Sequence, residues 1–105
     1  DSRVFNEEIF GPVLAATKFK DMDEAISLAN KTRFGLGANI YSKDMNTCHK
    51  MAAGIHAGTI WLNTYFVVDA AMPFGGFKES GVGREVGDEG VLMYTESKSV
   101  CALLD

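Results

Sequence analysis

A strand–helix–strand pattern occupies residues 38–62, which read ANIYSKDMNTCHKMAAGIHAGTIWL. The first four of these residues and the run Gly58–Leu62 are short β-favouring segments. Between them, Asp44 can cap a helix whose apolar positions keep a helical period, and Gly54 offers a left-handed stop. Two strands separated by one helix at this spacing predict an α/β fold with a largely parallel sheet.

Upstream of this unit the alternation of strand and helix continues. Val13–Phe19 is an apolar, β-favouring run, so it is predicted to be a strand. Asp21 and Glu24 have the spacing of a capping box, in which each carboxylate accepts a hydrogen bond near the helix start. A helix is therefore predicted at about residues 22–31.

Downstream of the unit the pattern predicts a long loop from Thr64 to about Gly81 and then a helix from Arg84 to Tyr94. The last predicted strand runs from Lys98 to Leu104. Its partner is expected either in the same sheet or on another chain.

The composition is that of one ordinary globular folding unit. Of the 105 residues, 47% are apolar and 23% are charged, and the net charge is −4. No Lys/Arg cluster occurs and the apolar runs are too short to span a bilayer. We therefore expect partners that are neither nucleic acid nor membrane.

The cysteines and histidines do not form a recognisable metal or disulfide pattern. Cys48 and Cys101 are predicted to be reduced, buried thiols, which is typical of a cytoplasmic protein. His49 and His56 have no ligating residues grouped around them, so no metal site is expected.

An acidic pair precedes a rigid turn in the stretch Asn6–Val13, which reads NEEIFGPV. Gly11 permits close backbone approach and Pro12 fixes the direction of the following chain. A carboxylate held there could accept hydrogen bonds from two ribose hydroxyls. The alternative interpretation is a solvated acidic pair ahead of a strand.

The loop Asp69–Glu85 is rich in glycine and also contains aromatic residues. Because a disordered segment would contain fewer apolar residues, we expect an ordered loop that lines a pocket or packs against another domain. The run Gly81–Gly87 resembles a dinucleotide fingerprint only superficially, since Val86 occupies the position of its third glycine. Arg84 and Glu85 are predicted to form a local ion pair, and Lys78 is predicted to be a solvated or structural cation.

Several segments together resemble the aldehyde dehydrogenase superfamily of NAD(P)-dependent enzymes, in its C-terminal part. Their order and spacing match across essentially the whole chain. The matching segments are Glu7–Val13, Phe34–Leu36, Gly58–Asn63, Pro73–Glu85 and Tyr94–Val100.

This resemblance implies roles for individual residues. Glu8 matches the glutamate that binds the nicotinamide-side ribose of NAD or NADP, and Phe10 matches the aromatic that packs near the nicotinamide ring. Val68 and Phe74 match positions that line the aldehyde tunnel. Since family members often have a bulky aromatic where this chain has Val68, a roomier pocket is a hypothesis. For Phe10 and Phe74, a purely structural role in the core is the alternative.

The resemblance also implies which chemistry lies elsewhere. In the family, a cysteine thiolate attacks the aldehyde, hydride passes to NAD(P), and the thioester is hydrolysed with a glutamate as base. The motifs of that cysteine and that base lie upstream of the matched segment, and neither Cys48 nor Cys101 matches them. No catalytic residue is therefore assigned, and the isolated chain is expected to be inactive.

The expected organisation follows from the same resemblance. Residues 1–96 are interpreted as the C-terminal part of the catalytic domain and residues 97–105 as a terminal oligomerisation strand. The expected partners are an aldehyde and either further subunits or the upstream segment of the same enzyme. Two alternatives are a non-catalytic assembly module and an independent small-molecule binder that keeps Glu8.

Overall fold

A computed structural model describes residues 2–104. Asp1, the first residue of the predicted catalytic-domain segment 1–96, and Asp105, the last residue of the predicted terminal strand 97–105, lie outside the described residues. Helices and short strands alternate along the chain. The elements are α1 (Arg3–Asn6), α2 (Met22–Asn30), β1 (Phe34–Gly35), β2 (Gly37–Ile40), α3 (Met45–Gly54), β3 (Thr59–Leu62), β4 (Phe77–Lys78) and α4 (Gly87–Leu92).

The predicted strand–helix–strand unit is present as β2, α3 and β3. The two strands pair in parallel, with Gly37 opposite Thr59 and Ile40 opposite Leu62. The buried apolar side chains of the described chain lie in or beside this unit. They are Ala25, Ile40, Cys48 and Trp61.

Both predicted helix caps are observed. The Asp21 carboxylate accepts a hydrogen bond from the Glu24 backbone N–H at 2.9 Å. Glu24 reaches back as expected, but its carboxylate accepts from the backbone N–H of Lys20, one residue before the cap. The Asp44 carboxylate accepts from the backbone N–H groups of Asn46 and Thr47, so α3 starts where the sequence predicted.

The predicted role of Gly54 as a left-handed stop is wrong. Gly54 is the last residue of α3, and Ile55 follows in an extended conformation. A Cβ on Gly54 would lie 2.9 Å from the Cδ1 atom of Ile26 in α2. The absence of a side chain at Gly54 therefore leaves room for Ile26 where α3 packs against α2.

Two predicted strands, Val13–Phe19 and Lys98–Leu104, are not strands within residues 2–104. Both segments are exposed along their described length. A strand is defined by backbone hydrogen bonds to a neighbouring strand, and these segments have no such neighbour among the described residues. The prediction that Lys98–Leu104 pairs with a strand of another chain is not tested by residues 2–104.

The other differences are local. β1 and β4 form a second, separate two-stranded sheet, which is antiparallel and was not predicted. The predicted helix from Arg84 to Tyr94 is shortened to Gly87–Leu92 because Glu85 pairs with Phe74 through its backbone. Cys48 is buried as expected, whereas Cys101 is exposed, so the expectation of a buried thiol is wrong there.

The chain is extended for its length. Its radius of gyration is 18.6 Å and its longest dimension is 71 Å. A compact domain of about 100 residues has a radius of gyration of about 13 Å. The exposed segments 11–20 and 91–104 lie outside the small core around β2, β3 and the two longer helices.

Candidate functional site

The end of β3 leads into the loop that forms the first candidate site. The indole Nε1 of Trp61 donates a hydrogen bond to the carbonyl oxygen of Val67 at 2.7 Å. The Trp61 ring also lies 6.0 Å from the ring of Phe66, centroid to centroid. These contacts hold Phe66 and Val67 against Trp61 of β3 and so fix the start of the segment that carries Val68.

This loop lines a partly open apolar cavity of about 300 Å³. Val68 and Phe74, the two predicted substrate-binding residues, both line it. Val68 is exposed and Phe74 is half-buried, so neither is a fully buried core residue. A volume of about 300 Å³ lies at the small end of the range for small-molecule sites.

Backbone contacts fix the far side of the cavity. The backbone of Phe74 exchanges two hydrogen bonds with that of Glu85, at 2.8 and 2.7 Å. Gly58 lies directly against the carbonyl oxygen of Gly75, where no side chain would fit. The loop is therefore ordered, as the sequence predicted, rather than an open connection.

The predicted ion pair between Arg84 and Glu85 is not the contact that orders this loop. Arg84 Nη1 instead donates to the carbonyl oxygens of Gly76 and Gly83, at 3.1 and 2.6 Å. The guanidinium also lies 5.2 Å from the centroid of the Phe77 ring. Arg84 thus organises the loop through carbonyl oxygens and an aromatic face.

Lys78 is a structural cation, which is one of the two alternatives predicted for it. Its Nζ donates to the backbone carbonyl oxygens of Asn30 and Thr32, at 3.0 and 2.9 Å. A cation at the C-terminal end of a helix satisfies carbonyl groups that have no partner inside the helix. Lys78 therefore ties β4 to the end of α2.

The second candidate site is the acidic pair near the chain start. Arg3 binds the Glu7 carboxylate through two hydrogen bonds, at 3.0 and 2.9 Å. This hydrogen bonding lowers the pKa of Glu7 and raises that of Arg3. Among the described residues, the acidic partners in ion pairs are Glu7, Asp21 and Glu79, and Glu8 is not one of them. The two adjacent carboxylates therefore differ: one is engaged and the other is free of an ion pair in this part of the chain.

Glu8 and its neighbours face a cavity of about 610 Å³ that also reaches β1 and β2. Phe10, two residues further on, is 93% exposed. Its backbone φ of 49° lies in the left-handed region, which is uncommon for a residue other than glycine. The alternative of a core aromatic is therefore wrong for Phe10 within the described chain.

The four predicted site residues fall into two groups. Val68 and Phe74 line one cavity together, Glu8 lines another, and Phe10 is exposed at the turn that follows Glu8. Sequence reasoning missed other residues of the apolar cavity, because nothing in their type or spacing marks them. These include Thr59, Phe66 and Val86.

Neither a metal-binding cluster nor a membrane-spanning helix is found among the described residues. No group of three or more His, Cys, Asp or Glu residues within 2–104 could hold a metal ion. No helix in the same range is long and apolar enough to cross a membrane.

Sequence relatives identify the class to which this α/β chain belongs. Residues 1–100 match the family model described as the aldehyde dehydrogenase family. The chain is 46% identical over 100 residues to an aldehyde dehydrogenase of Aspergillus niger and 49% identical over 100 residues to aldehyde dehydrogenase 1A1 of Oryctolagus cuniculus. Each match covers 95% of this chain and 20% of the relative.

Solved structures agree with the sequence relatives. The fold matches betaine aldehyde dehydrogenase from Staphylococcus aureus in complex with NAD+, at a TM-score of 0.82 and 42% identity over 85% of this chain and 18% of that one. It also matches an indole-3-acetaldehyde dehydrogenase bound to NAD+, at a TM-score of 0.89 and 43% identity over 93% of this chain and 20% of that one. The chain belongs to the aldehyde dehydrogenase family, and its α/β class is confirmed. It spans about one fifth of the length of the relatives it matches.

Proposed function

We propose that this chain is the C-terminal part of an NAD(P)-dependent aldehyde dehydrogenase that oxidises an aldehyde to a carboxylic acid. In this proposal the cysteine nucleophile and the general base come from an upstream part of the same enzyme. The residues described here bind and orient the reactants: Glu8 and Phe10 contact the cofactor, and Val68 and Phe74 line the aldehyde site.

The observation that supports the proposal most strongly is the difference between the two adjacent glutamates. Arg3 engages Glu7 through two hydrogen bonds, whereas Glu8 is outside the ion pairs of the described chain. A carboxylate has the acceptor geometry for two ribose hydroxyls. Glu8 is therefore the carboxylate available to NAD(P), and the exposed Phe10 ring is available to cover the nicotinamide.

The chemical groups of Glu8 and Phe10 fit two parts of NAD(P), the ribose and the nicotinamide ring. Glu8 supplies acceptors for the ribose hydroxyls, and the flat ring of Phe10 supplies an apolar surface for a heteroaromatic ring. Bound NAD(P) would supply the hydride acceptor for the oxidation. Since one carboxylate and one ring contact only part of a dinucleotide, the remaining contacts come from the upstream part of the enzyme in this proposal.

The apolar cavity supports the second half of the proposal. Its lining by Val68 and Phe74 suits the carbon chain of an aldehyde, because apolar groups gain from removal from water. In this proposal the cavity positions the aldehyde carbon for attack and does not itself react.

Substitution of the two glutamates in a complete subunit that carries this chain tests the cofactor role. Glu8→Gln removes the charge but keeps the size, so the KM for NAD(P) is expected to rise about tenfold, as for the loss of hydrogen bonds to a charged group. Glu7→Gln is the matched control, because it disrupts the Arg3 pair without touching the proposed cofactor contact. Equal effects of the two substitutions on the KM would contradict the role of Glu8.

One observation favours a second candidate function, that of a non-catalytic assembly module. Val100, Leu103 and Leu104 are all exposed in a segment without strand pairing among the described residues. An unpaired extended segment with apolar side chains can add to the edge of a sheet in another chain. Co-purification of the 105-residue chain with a complete subunit, lost when Val100 and Leu103 are both replaced by Ser, would support this function.

A further inference from the structure

Val86 has a backbone conformation that side-chain-bearing residues rarely adopt. Its φ is 53° and its ψ is 177°, immediately before α4. This combination is sterically unfavourable for a β-branched residue, since Cβ crowds the neighbouring peptide groups. Such a conformation persists only where the surrounding structure holds it in place.

The contacts that hold Val86 come from the loop that forms the apolar cavity. On one side, Glu85 is bound to Phe74 by the two backbone hydrogen bonds described above. On the other side, the Gly87 N–H donates to the carbonyl oxygen of Ala70 at 2.9 Å. The strained residue is thus fixed from both ends by the chain that also carries Val68 and Phe74.

Val86 lies at the boundary of two cavities. It lines the 300 Å³ cavity together with Val68, and it lines a neighbouring cavity of about 770 Å³ as well. The residue is 47% exposed, so its side chain is not part of a packed core. A smaller side chain at this position would therefore enlarge the apolar cavity towards the larger one.

We propose that Val86 is a specificity-determining residue that limits the size of the aldehyde. The proposal rests on the function given above, in which the apolar cavity is the aldehyde site. The strained backbone fixes the valine side chain as a wall of that site, on the side of the larger cavity. This wall lowers kcat/KM for aldehydes with a bulky group, whereas short-chain aldehydes are not affected by it.

The test compares two aldehydes in the complete subunit. Val86→Ala removes two methyl groups and is expected to raise the ratio of kcat/KM for phenylacetaldehyde to that for acetaldehyde by about tenfold or more, since a single methylene in an apolar pocket typically changes this ratio about tenfold. Val86→Ile is expected to lower the same ratio. Val82→Ala is the matched control, since Val82 is 97% exposed and lines only the larger cavity.

Two further measurements distinguish a wrong role for Val86 from a variant that does not fold and from a wrong proposed function. Val86→Gly removes both the side chain and the strain, so it should raise the ratio even where Val86→Ala fails to fold. Binding of phenylacetate relative to acetate, measured by titration without turnover, should shift in the same direction. The unsubstituted subunit could oxidise no aldehyde while this binding ratio still shifts in the variants. In that case the proposed aldehyde dehydrogenase function fails, but Val86 still limits the size of the ligand that the apolar cavity accepts. An unchanged ratio in Val86→Ala and Val86→Gly, or an equal shift in Val82→Ala, would overturn the role of Val86.

Discussion

Asn63 joins the ends of the two parallel strands by two hydrogen bonds to the backbone of Ser42. Its Oδ1 accepts from the Ser42 N–H and its Nδ2 donates to the Ser42 carbonyl oxygen, both at 2.8 Å. Asn63 also has a φ of 54°, which asparagine tolerates better than most residues. This residue therefore fixes the direction in which the chain leaves β3 and enters the loop around the apolar cavity.

Removal of this bridge should destabilise the protein and loosen the loop. Asn63→Ala loses both hydrogen bonds, and we expect a decrease of about 1–3 kcal/mol in the free energy of unfolding. Asn63→Gly also loses them but accepts the positive φ, so a smaller loss for Gly than for Ala measures the backbone contribution. Urea unfolding of the complete subunit gives both values, and an unchanged stability in both variants would contradict the bridge.

The pocket-size hypothesis makes a prediction at Val68. Because Val68 lines a cavity of about 300 Å³, Val68→Phe should fill part of it and penalise bulky aldehydes more than small ones. A decrease of about tenfold or more in kcat/KM is expected for phenylacetaldehyde, with a smaller change for acetaldehyde. Steady-state kinetics of the complete subunit measure this, and equal effects on both aldehydes would refute the hypothesis.

The cap of α3 predicts a pH dependence. Hydrogen bonds from the Thr47 hydroxyl and from the Asn46 N–H hold the pKa of the Asp44 carboxyl below its usual range. Since the folded-state pKa is lowered, the stability that Asp44 contributes is present above the ordinary value of about 4 and is lost as the pH falls through the lower folded-state pKa.

Asp44→Asn tests this linkage because asparagine caps helices as well as aspartate does but has no titrating group. The variant should keep its stability near neutral pH and show a weaker loss of stability below about pH 4. Asp44→Ala should be less stable at all these pH values, since it removes the cap itself. Acid unfolding followed by circular dichroism distinguishes these outcomes, and identical pH profiles for the Asp and Asn forms would contradict the lowered pKa.

The exposed apolar residues predict association of the isolated chain. Val13, Leu14 and Phe19 are exposed near one end of the chain, as are Leu103 and Leu104 near the other. Since exposed apolar segments without strand partners associate readily, the isolated chain should form oligomers or aggregates and bind a hydrophobic dye. Sedimentation velocity measures this, and a stable monomer that binds no dye would contradict it.

The parts of the fold that were predictable are those with local causes. Asp21 and Asp44 cap the helices that follow them, because a carboxylate that accepts hydrogen bonds from the free backbone N–H groups of a helix start is stabilising. This interaction does not depend on the fold of the rest of the chain. The parallel pairing of β2 with β3 followed from one helix of suitable length between two apolar runs. These features needed no information from distant parts of the chain.

The features that were missed depend on contacts between distant residues. Gly54 has the sequence position of a helix stop, yet its role is set by Ile26, 28 positions earlier. Val13–Phe19 has the composition of a strand, but a strand requires an edge to pair with, and residues 2–104 provide none for it. Likewise, the position of Val86 in the cavity wall follows from the pairing of Glu85 with Phe74.

The most direct test of the central claim is a comparison of NAD(P)H formation from acetaldehyde by the complete subunit and by the 105-residue chain alone. We predict turnover by the complete subunit and none by the chain, since the nucleophile and base are proposed to lie upstream. Turnover by the chain that disappears in Cys48→Ser or Cys101→Ser would place the chemistry within these residues and contradict the account.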